Sequence, residues 1–227
     1  MLEISGVTVS YGSTVAVEGV SFRVESGDIV GVVGPNGAGK TSLFKTILGF
    51  ESQDFGSIDF NGKAISEVGS ANIGYLAESP FLYDFFTPLE MLMFEISLKQ
   101  ATVSDEHVCE MMELLGLEKH KDTPISKLSQ GFKKRVAIAS AFICNPSLVI
   151  LDEPLNALDI QTVIVLKQLI EQFSTQGAHL LLSSHVLTFF NGLVSKVVFL
   201  DHGKLRHISS SAADDAEEVY KRLYMTS

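Results

Sequence analysis

The residues best placed to do chemistry form a glycine-rich segment, GPNGAGKT, at Gly34–Thr41, directly after the apolar run Ile29–Val33. A buried strand that ends in such a turn and opens a helix aims backbone N–H groups and the positive helix end at phosphate oxygens. In this pattern, the P-loop, the Lys40 ammonium reaches the β- and γ-phosphates and the Thr41 hydroxyl binds Mg²⁺. A glycine turn that binds no ligand is the alternative, but it leaves Lys40 unexplained. The segment therefore predicts a nucleoside triphosphate site.

Two adjacent acids follow a second apolar run. Leu148–Leu151 contains no polar residue and is followed directly by Asp152 and Glu153. Beside a bound triphosphate, Asp152 would hold Mg²⁺ through water, and Glu153 would orient and deprotonate the attacking water. The alternative is a strand that ends in solvated carboxylates. The P-loop upstream favours the catalytic interpretation.

Three further side chains give weaker signals. Ser129 stands where the N-cap of a helix-patterned segment at 133–143 belongs, and its hydroxyl and the nearby amides suit an anion. His185 follows the apolar run Leu180–Leu182, at the edge where parallel strands deliver functional side chains. Tyr11 lies in a predicted turn and can stack on a purine. Taken singly, these residues are also an ordinary cap, a structural histidine and an exposed tyrosine.

Composition narrows the class of protein. The chain has 227 residues, is 46% hydrophobic and has a formal net charge of −10, so nucleic-acid binding by phosphate neutralisation is not expected. Cys109 and Cys144 lie in apolar surroundings, which predicts reduced core thiols. The best apolar stretch, Val136–Leu151, is interrupted by Asn145–Pro146, and the N-terminus lacks the pattern of a signal peptide. A cytoplasmic protein is therefore expected.

The elements that must position these residues are those of an α/β protein. Apolar and polar residues alternate over Leu2–Val9 and Val20–Glu25, which predicts an antiparallel sheet. Residues 88–117 have apolar side chains at helical spacing, which predicts a helical insertion. The two apolar runs that end in chemistry-bearing residues are separated by a helix pattern at 160–173, which indicates a doubly wound parallel sheet. A short helix is predicted around Ala213–Tyr224.

The order of the motifs along the chain resembles that of the ATP-binding cassette (ABC) ATPase family. The order is GPNGAGKT, LSQGF, LVILDEP, NALD and SSH, and the resemblance extends over nearly the whole chain. It implies a P-loop NTPase (RecA-like) core with a mostly parallel sheet, an N-terminal antiparallel β-subdomain and an inserted α-helical subdomain. It also implies a single ABC ATPase domain over residues 1–227, with the core at about 1–80 and 136–227 and the helical subdomain at about 81–135.

The resemblance also implies a role for each matching residue. Glu153 is the catalytic base and His185 the γ-phosphate sensor. The residues that bind ATP, with Tyr11 stacked on adenine, are Tyr11, Gly34, Pro35, Asn36, Gly37, Ala38, Gly39, Lys40, Thr41 and Ser42. The residues that hold Mg²⁺ are Thr41, Asp152 and Glu78. The residues that contact the ATP of a partner subunit are Ser129, Gln130, Gly131 and Asp159.

Several positions depart from the family pattern. The signature loop usually reads LSGGQ, whereas here Gln130 replaces the first glycine and Phe132 the final glutamine. The Q-loop normally contains a glutamine, and here Glu78 takes that place, with a charge and hydrogen bonding that differ. In the D-loop, Asn156–Asp159, Asn156 stands where serine is common. These variants resemble the stand-alone cassettes that serve ABC-2 type permeases, which are often exporters.

The function implied is that of an ABC transporter ATPase subunit. Two cassettes close head-to-tail on two Mg²⁺-ATP molecules, hydrolyse ATP to ADP and phosphate, and drive a transmembrane permease. The second cassette is either a copy of this chain or a different one, and the pair lies on the inner face of the cell membrane as a peripheral protein. The alternative is a soluble ABC ATPase that remodels a macromolecular complex. A GTPase or small-molecule kinase ranks last, because the chain has no NKxD guanine motif.

Two surface segments have open interpretations. Residues 79–88 place Phe81, Tyr83, Phe85 and Phe86 between two prolines, and these rings form either a groove for a short helix of a membrane partner or part of the core between subdomains. The basic run Lys133–Arg135 is either a phospholipid contact or, more usually for such a run, a solvated helix face.

Overall fold

A computed structural model describes residues 1–210 and 216–225 of the chain. The strands are β1 (Leu2–Tyr11), β2 (Thr14–Val24), β3 (Ile29–Val33), β4 (Phe55–Phe60), β5 (Lys63–Ala64), β6 (Ile73–Leu76), β7 (Leu148–Leu151), β8 (His179–Ser183), β9 (Lys196–Asp201) and β10 (Lys204–Ser210). The α-helices are α1 (Lys40–Ile47), α2 (Pro88–Leu98), α3 (Asp105–Leu114), α4 (Gln130–Phe142), α5 (Ile160–Thr175) and α6 (Ala216–Tyr224).

The chain divides into two compact units, which we call unit 1 (Met1–Val68 with Ser174–Ser227) and unit 2 (Gly69–Phe173). The division predicted at about residues 81–135 stays a prediction.

Unit 1 combines an antiparallel sheet with parallel pairing. Strands β2, β1, β4 and β5 form the antiparallel sheet in that order. Strand β3 pairs in parallel with both β8 and β9, and β9 continues into an antiparallel pair with β10. Every residue of β3 and of β8 is buried, as expected for strands covered on both faces. The alternation at the N-terminus and the unbroken apolar runs therefore predicted the correct kinds of strand.

Unit 2 contains the parallel pair β6–β7 and the helices α2 to α4. Helix α2 begins with a capping box, in which the Glu90 N–H donates to Thr87 Oγ1 at 3.2 Å and the Thr87 N–H donates to Glu90 Oε2 at 2.8 Å. Helix α4 begins at Gln130 because the Ser129 hydroxyl accepts the Phe132 N–H, so the helix starts earlier than the predicted 133–143. From Val136 to Phe142 the helix is buried. The helical insertion predicted for residues 88–117 is present as α2 and α3.

The α/β fold class predicted from the sequence is confirmed, with additions. Strands β9 and β10 were not predicted, although the glycine turn at His202–Gly203 separates an apolar run from an alternating one. The predicted C-terminal helix is present as α6, and residues 213–215 of that prediction lie outside the described residues. Over the described part of the chain, no helix is long and apolar enough to cross a membrane.

Candidate nucleotide site

The P-loop lies in unit 1 between β3 and α1. Gly39 is the N-cap of α1 with a left-handed φ of 97°, no side chain caps this helix end, and no acidic residue occupies its first turn. A Cβ on Gly39 would lie 2.3 Å from the Ala16 carbonyl oxygen, and one on Gly34 would lie 2.2 Å from the Leu200 carbonyl oxygen. Only glycine fits at these two positions. The loop therefore presents backbone and a positive helix end, as a phosphate site requires.

The Lys40 side chain folds back over this loop. Its ammonium donates to the carbonyl oxygens of Gly34 at 2.7 Å and Pro35 at 3.3 Å. The Ala38 N–H donates to the Pro35 carbonyl at 3.1 Å, which closes the turn around Asn36 and Gly37. The predicted P-loop residues are thus brought together, with Lys40 over the turn that would receive the phosphates.

The hairpin that contains Tyr11 lies in the same unit. Tyr11 is exposed at the end of β1 and pairs with Thr14 of β2. The next residues of β2 reach the P-loop, because the Ala16 carbonyl lies against Gly39. An exposed aromatic ring on this hairpin is consistent with the predicted stacking on adenine, which stays a prediction.

His185 follows β8 at the same sheet edge as the P-loop. In the parallel register, Val32 of β3 pairs with Ser183 of β8, so both strands end together. The Ser184 hydroxyl accepts the Val186 N–H at 3.0 Å, which shapes the turn that presents the exposed His185. The location supports the predicted contact with the γ-phosphate.

Asp152 and Glu153 end β7 in unit 2. Asp152 is 1% exposed, and its backbone N–H donates to the Leu76 carbonyl at 2.8 Å. Glu153 has a φ of 46°, a left-handed conformation that is rare for a residue with a side chain and rarer still before a proline, here Pro154. Backbone strain of this kind is concentrated at functional sites.

The Q-loop, signature loop and D-loop residues meet in unit 2. A cleft of about 310 Å³ is lined by Glu78, Gln130 and Asn156, among others. A Cβ on Gly131 would lie 3.3 Å from the Ala157 carbonyl oxygen, so the signature loop lies against the D-loop. Ser129 and Gln130 are exposed, as contact with a partner subunit requires.

Asp159 has an intrachain role that the sequence did not indicate. Its carboxylate accepts the Thr162 N–H and hydroxyl, both at 2.8 Å, and caps the start of α5. It also accepts from the Arg135 guanidinium at 2.5 Å. These hydrogen bonds, first those from Thr162 and then that from Arg135, lower the pKa of Asp159 to about 2. Its predicted contact with the ATP of a partner stays a prediction.

Acid is expected to remove the contribution of Asp159 to stability. Because its folded-state pKa is lowered from the ordinary 3.8 to about 2, the ionised group stabilises the fold above pH 3.8 and loses that effect as the pH falls through about 2. Urea denaturation should give a difference in unfolding free energy between wild type and Asp159→Asn that is constant from about pH 7 to about pH 5 and shrinks below it. Asp122→Asn, at an exposed aspartate, is the control. A difference that grows on acidification would contradict this assignment.

The solvated interpretation of the basic run is wrong for its middle member. Lys134 is 4% exposed. Lys133 is half-buried and its ammonium lies 3.4 Å from the Asp84 carboxylate. The Arg135 guanidinium lies 4.9 Å from the centre of the Phe132 ring in addition to its contact with Asp159. Lys134 faces inward because it is on the same face of α4 as Ile138 and Ala141, which are buried.

The side chains predicted to hold Mg²⁺ are, taken one by one, of the kind that this ion prefers. In the described ranges, 1–210 and 216–225, no group of at least three His, Cys, Asp or Glu side chains is arranged to hold a metal by itself. Mg²⁺ beside a triphosphate takes one or two protein oxygens and completes its shell with phosphates and water. Thr41 in unit 1 has a hydroxyl and Asp152 in unit 2 has a buried carboxylate, which are oxygens of this kind, and their contact with Mg²⁺, through water for Asp152, stays a prediction.

Comparisons with known proteins agree on one family. A family model described as ABC transporter matches residues 17–156. The chain is 32% identical over 205 residues to the lantibiotic transport ATP-binding protein SrtF of Streptococcus pyogenes, which covers 90% of this chain and 89% of that protein. It is 32% identical over 211 residues to the cytochrome c biogenesis ATP-binding export protein CcmA of Vibrio parahaemolyticus, covering 92% and 98% of the two chains. A solved structure of the ATP-binding subunit of an ABC transporter matches with a TM-score of 0.90 at 26% identity and covers 98% of this chain and 99% of its own.

Proposed function

The chain belongs to the ABC transporter family, and we propose on that premise that it is the ATP-hydrolysing subunit of an exporter, pairing with a second cassette on Mg²⁺-ATP to power a separate permease. Membership confirms the resemblance inferred from the order of the sequence motifs, and with it the P-loop NTPase fold and an ATP-binding ATPase. The observation that supports the proposal best is the phosphate cradle of Gly34–Lys40, where two glycines admit no side chain and a helix end is left without an acidic or capping side chain.

The chemistry follows from the residues of each unit. Lys40 leaves the carbonyl oxygens of its own loop and binds the β- and γ-phosphates. Thr41, Glu78 and, through water, Asp152 would hold Mg²⁺, which would neutralise phosphate charge. Glu153 accepts a proton from the attacking water, and His185 contacts the γ-phosphate.

A second cassette completes the arrangement. Ser129 and Gln130 are exposed at the start of α4, and this helix has no acidic residue in its first turn. Its N-terminus therefore suits the phosphates of a nucleotide bound by another subunit. The same exposed loop serves a homodimer or a heterodimer.

An aromatic cluster in unit 2 supports docking of a permease. The cluster comprises Phe81, Tyr83, Phe85, Phe86 and Phe94, with neighbouring ring centres 5.0 to 5.8 Å apart. Phe81 is 78% exposed and Phe85 is 73% exposed. Exposed rings supported by a packed base suit the apolar face of a short helix. We assign that helix to the cytoplasmic side of the permease, which puts this chain on the inner face of the cell membrane.

Export is the direction that the relatives favour. SrtF is named for lantibiotic transport and CcmA for export. The variant signature loop and Glu78 favour the same direction, because they resemble the stand-alone cassettes that serve ABC-2 type permeases, which are often exporters. The cargo is selected by the permease, since the residues of this chain that bear chemistry are those for phosphate and water.

Purification of the assembled complex tests the proposal. Tagged chain with Glu153→Gln, isolated from gently solubilised native membranes with ATP and Mg²⁺, should retain a stoichiometric polytopic membrane protein identified by mass spectrometry. Phe81→Ser with Phe85→Ser should lose that protein, because the apolar contact is removed, and still bind ATP. Phe55→Ser, which changes a 72% exposed phenylalanine of unit 1, is the matched control. Recovery of soluble or ribosomal partners alone would instead identify a remodelling ATPase.

A further inference from the structure

Lys134 is a buried cation whose position the phosphate chemistry does not explain. It lies in α4 and is 4% exposed. Removing an ammonium group from water is costly unless hydrogen bonds replace the lost hydration. Burial lowers its pKa, while the carboxylates of Asp152, Glu78 and Glu153 act in the opposite direction. A lysine retained in such a place needs partners that use its donors.

The partners of Lys134 are backbone carbonyl groups from two separate loops. Its ammonium donates to the carbonyl oxygens of Ala77 at 3.3 Å, Glu78 at 3.2 Å and Glu153 at 3.4 Å. An ammonium has three N–H donors, and each has an acceptor here. The Lys134 side chain of α4 therefore links the Q-loop backbone, at Ala77 and Glu78, to the peptide group that follows Glu153.

The Glu153 carbonyl is where such a link has most effect. Glu153 has a φ of 46° and precedes Pro154, so its backbone is in a conformation that only surrounding contacts maintain. A hydrogen bond to its carbonyl oxygen restricts rotation of the adjoining peptide. The direction in which the Glu153 side chain leaves the backbone is fixed by the same dihedral angles.

We propose that Lys134 is a positioning residue for ATP hydrolysis. It fixes the Glu153 backbone relative to the Q-loop backbone and so directs the Glu153 carboxylate toward the attacking water. The kinetic part of this inference rests on the proposed function, whereas the link itself is a property of the folded chain. Lys133 is a matched control on the same helix turn, because its ammonium pairs with the exposed Asp84 instead.

Hydrogen exchange in the absence of nucleotide tests the link directly. Lys134→Met keeps a long apolar stem and removes all donors, so the amides of residues 76–79, 152–153 and 155–158 should exchange about fivefold faster or more than in wild type. Lys133→Met should leave both segments unchanged. Equal exchange in the two variants, or acceleration spread evenly through unit 2, would overturn the proposal.

Steady-state kinetics tests the consequence. Lys134→Met should lower kcat about tenfold or more while KM for ATP stays within about twofold, because positioning of the base acts on the chemical step. Lys134→Gln, which keeps an N–H donor without the charge, should recover at least half of that loss on a logarithmic scale. If nucleotide affinity falls together with kcat, or if glutamine is no better than methionine, Lys134 has no positioning role. Absence of hydrolysis in the wild type would instead contradict the ATPase function. Hydrogen exchange would still show whether Lys134 links the two loops.

Discussion

Glu153→Gln is expected to lower ATP turnover by about 10² to 10⁴, equivalent to roughly 3 to 5 kcal/mol of activation free energy. Glutamine has nearly the same size and shape as glutamate but cannot accept a proton from water at neutral pH. The half-buried Glu153 lies next to the buried Asp152, and the substitution leaves that neighbour and the left-handed backbone in place. ATP affinity should therefore be retained, and the ATP-bound dimer should accumulate because it no longer reopens after hydrolysis.

Phosphate release and equilibrium binding of a fluorescent ATP analogue separate these two effects. Glu118→Gln is a suitable control, because it removes one exposed carboxylate from the same unit without touching β7. Turnover that survives the change at Glu153 would mean that another group serves as the base. Loss of nucleotide affinity would mean that Glu153 acts in binding.

Lys40→Ala is expected to weaken ATP binding as well as turnover. Hydrogen bonds from a charged donor contribute about 1.5 to 3 kcal/mol, so affinity for ATP should fall about 10- to 100-fold. In the absence of nucleotide, the ammonium donates to Gly34 and Pro35, so the fold loses two partly buried hydrogen bonds as well. Calorimetric titration with ATP and Mg²⁺ measures the affinity, and a thermal melt measures the effect on stability.

Lys45→Ala provides the comparison for Lys40, because it removes the same charge from the last turn of the same helix. We expect it to retain ATP binding. If the two variants bind ATP equally well, the P-loop lysine does not contact the phosphates, and the cradle binds its ligand through backbone alone.

Prediction from sequence succeeded where the pattern is local. The P-loop could be located because the glycines, Lys40 and the preceding apolar run are consecutive, and Ser129 could be recognised as a cap from its place before a helix. His185 and Asp152 could be singled out because each follows an uninterrupted buried strand that pairs in parallel within its own unit, and their roles stay predictions.

The contacts that were not predicted depend on tertiary packing. The run Lys133–Arg135 does not by itself indicate which residue faces inward. Successive side chains of a helix point about 100° apart, so one of the three can face the core, but all three are similarly polar. The spacing from Lys134 to Ile138 and Ala141 was the available signal. The link from Arg135 to Asp159 joins α4 to the start of α5, and the sequence gives no register for such a contact. The left-handed backbone of Glu153 is set by its surroundings, since glutamate has no preference for it.

The conformation of Glu153 also constrains how this position can evolve. Glycine adopts a positive φ without the steric cost that a side chain adds, so stability at this backbone conformation favours it over glutamate, and one nucleotide substitution in the codon is sufficient to make that change. Selection for turnover opposes it, because glycine has no carboxylate. If Glu153 is the catalytic base, as we propose, a change to glycine would give a cassette that folds and binds nucleotide but is inactive, and a lineage that retains glutamate here accepts a loss of stability in exchange for catalysis.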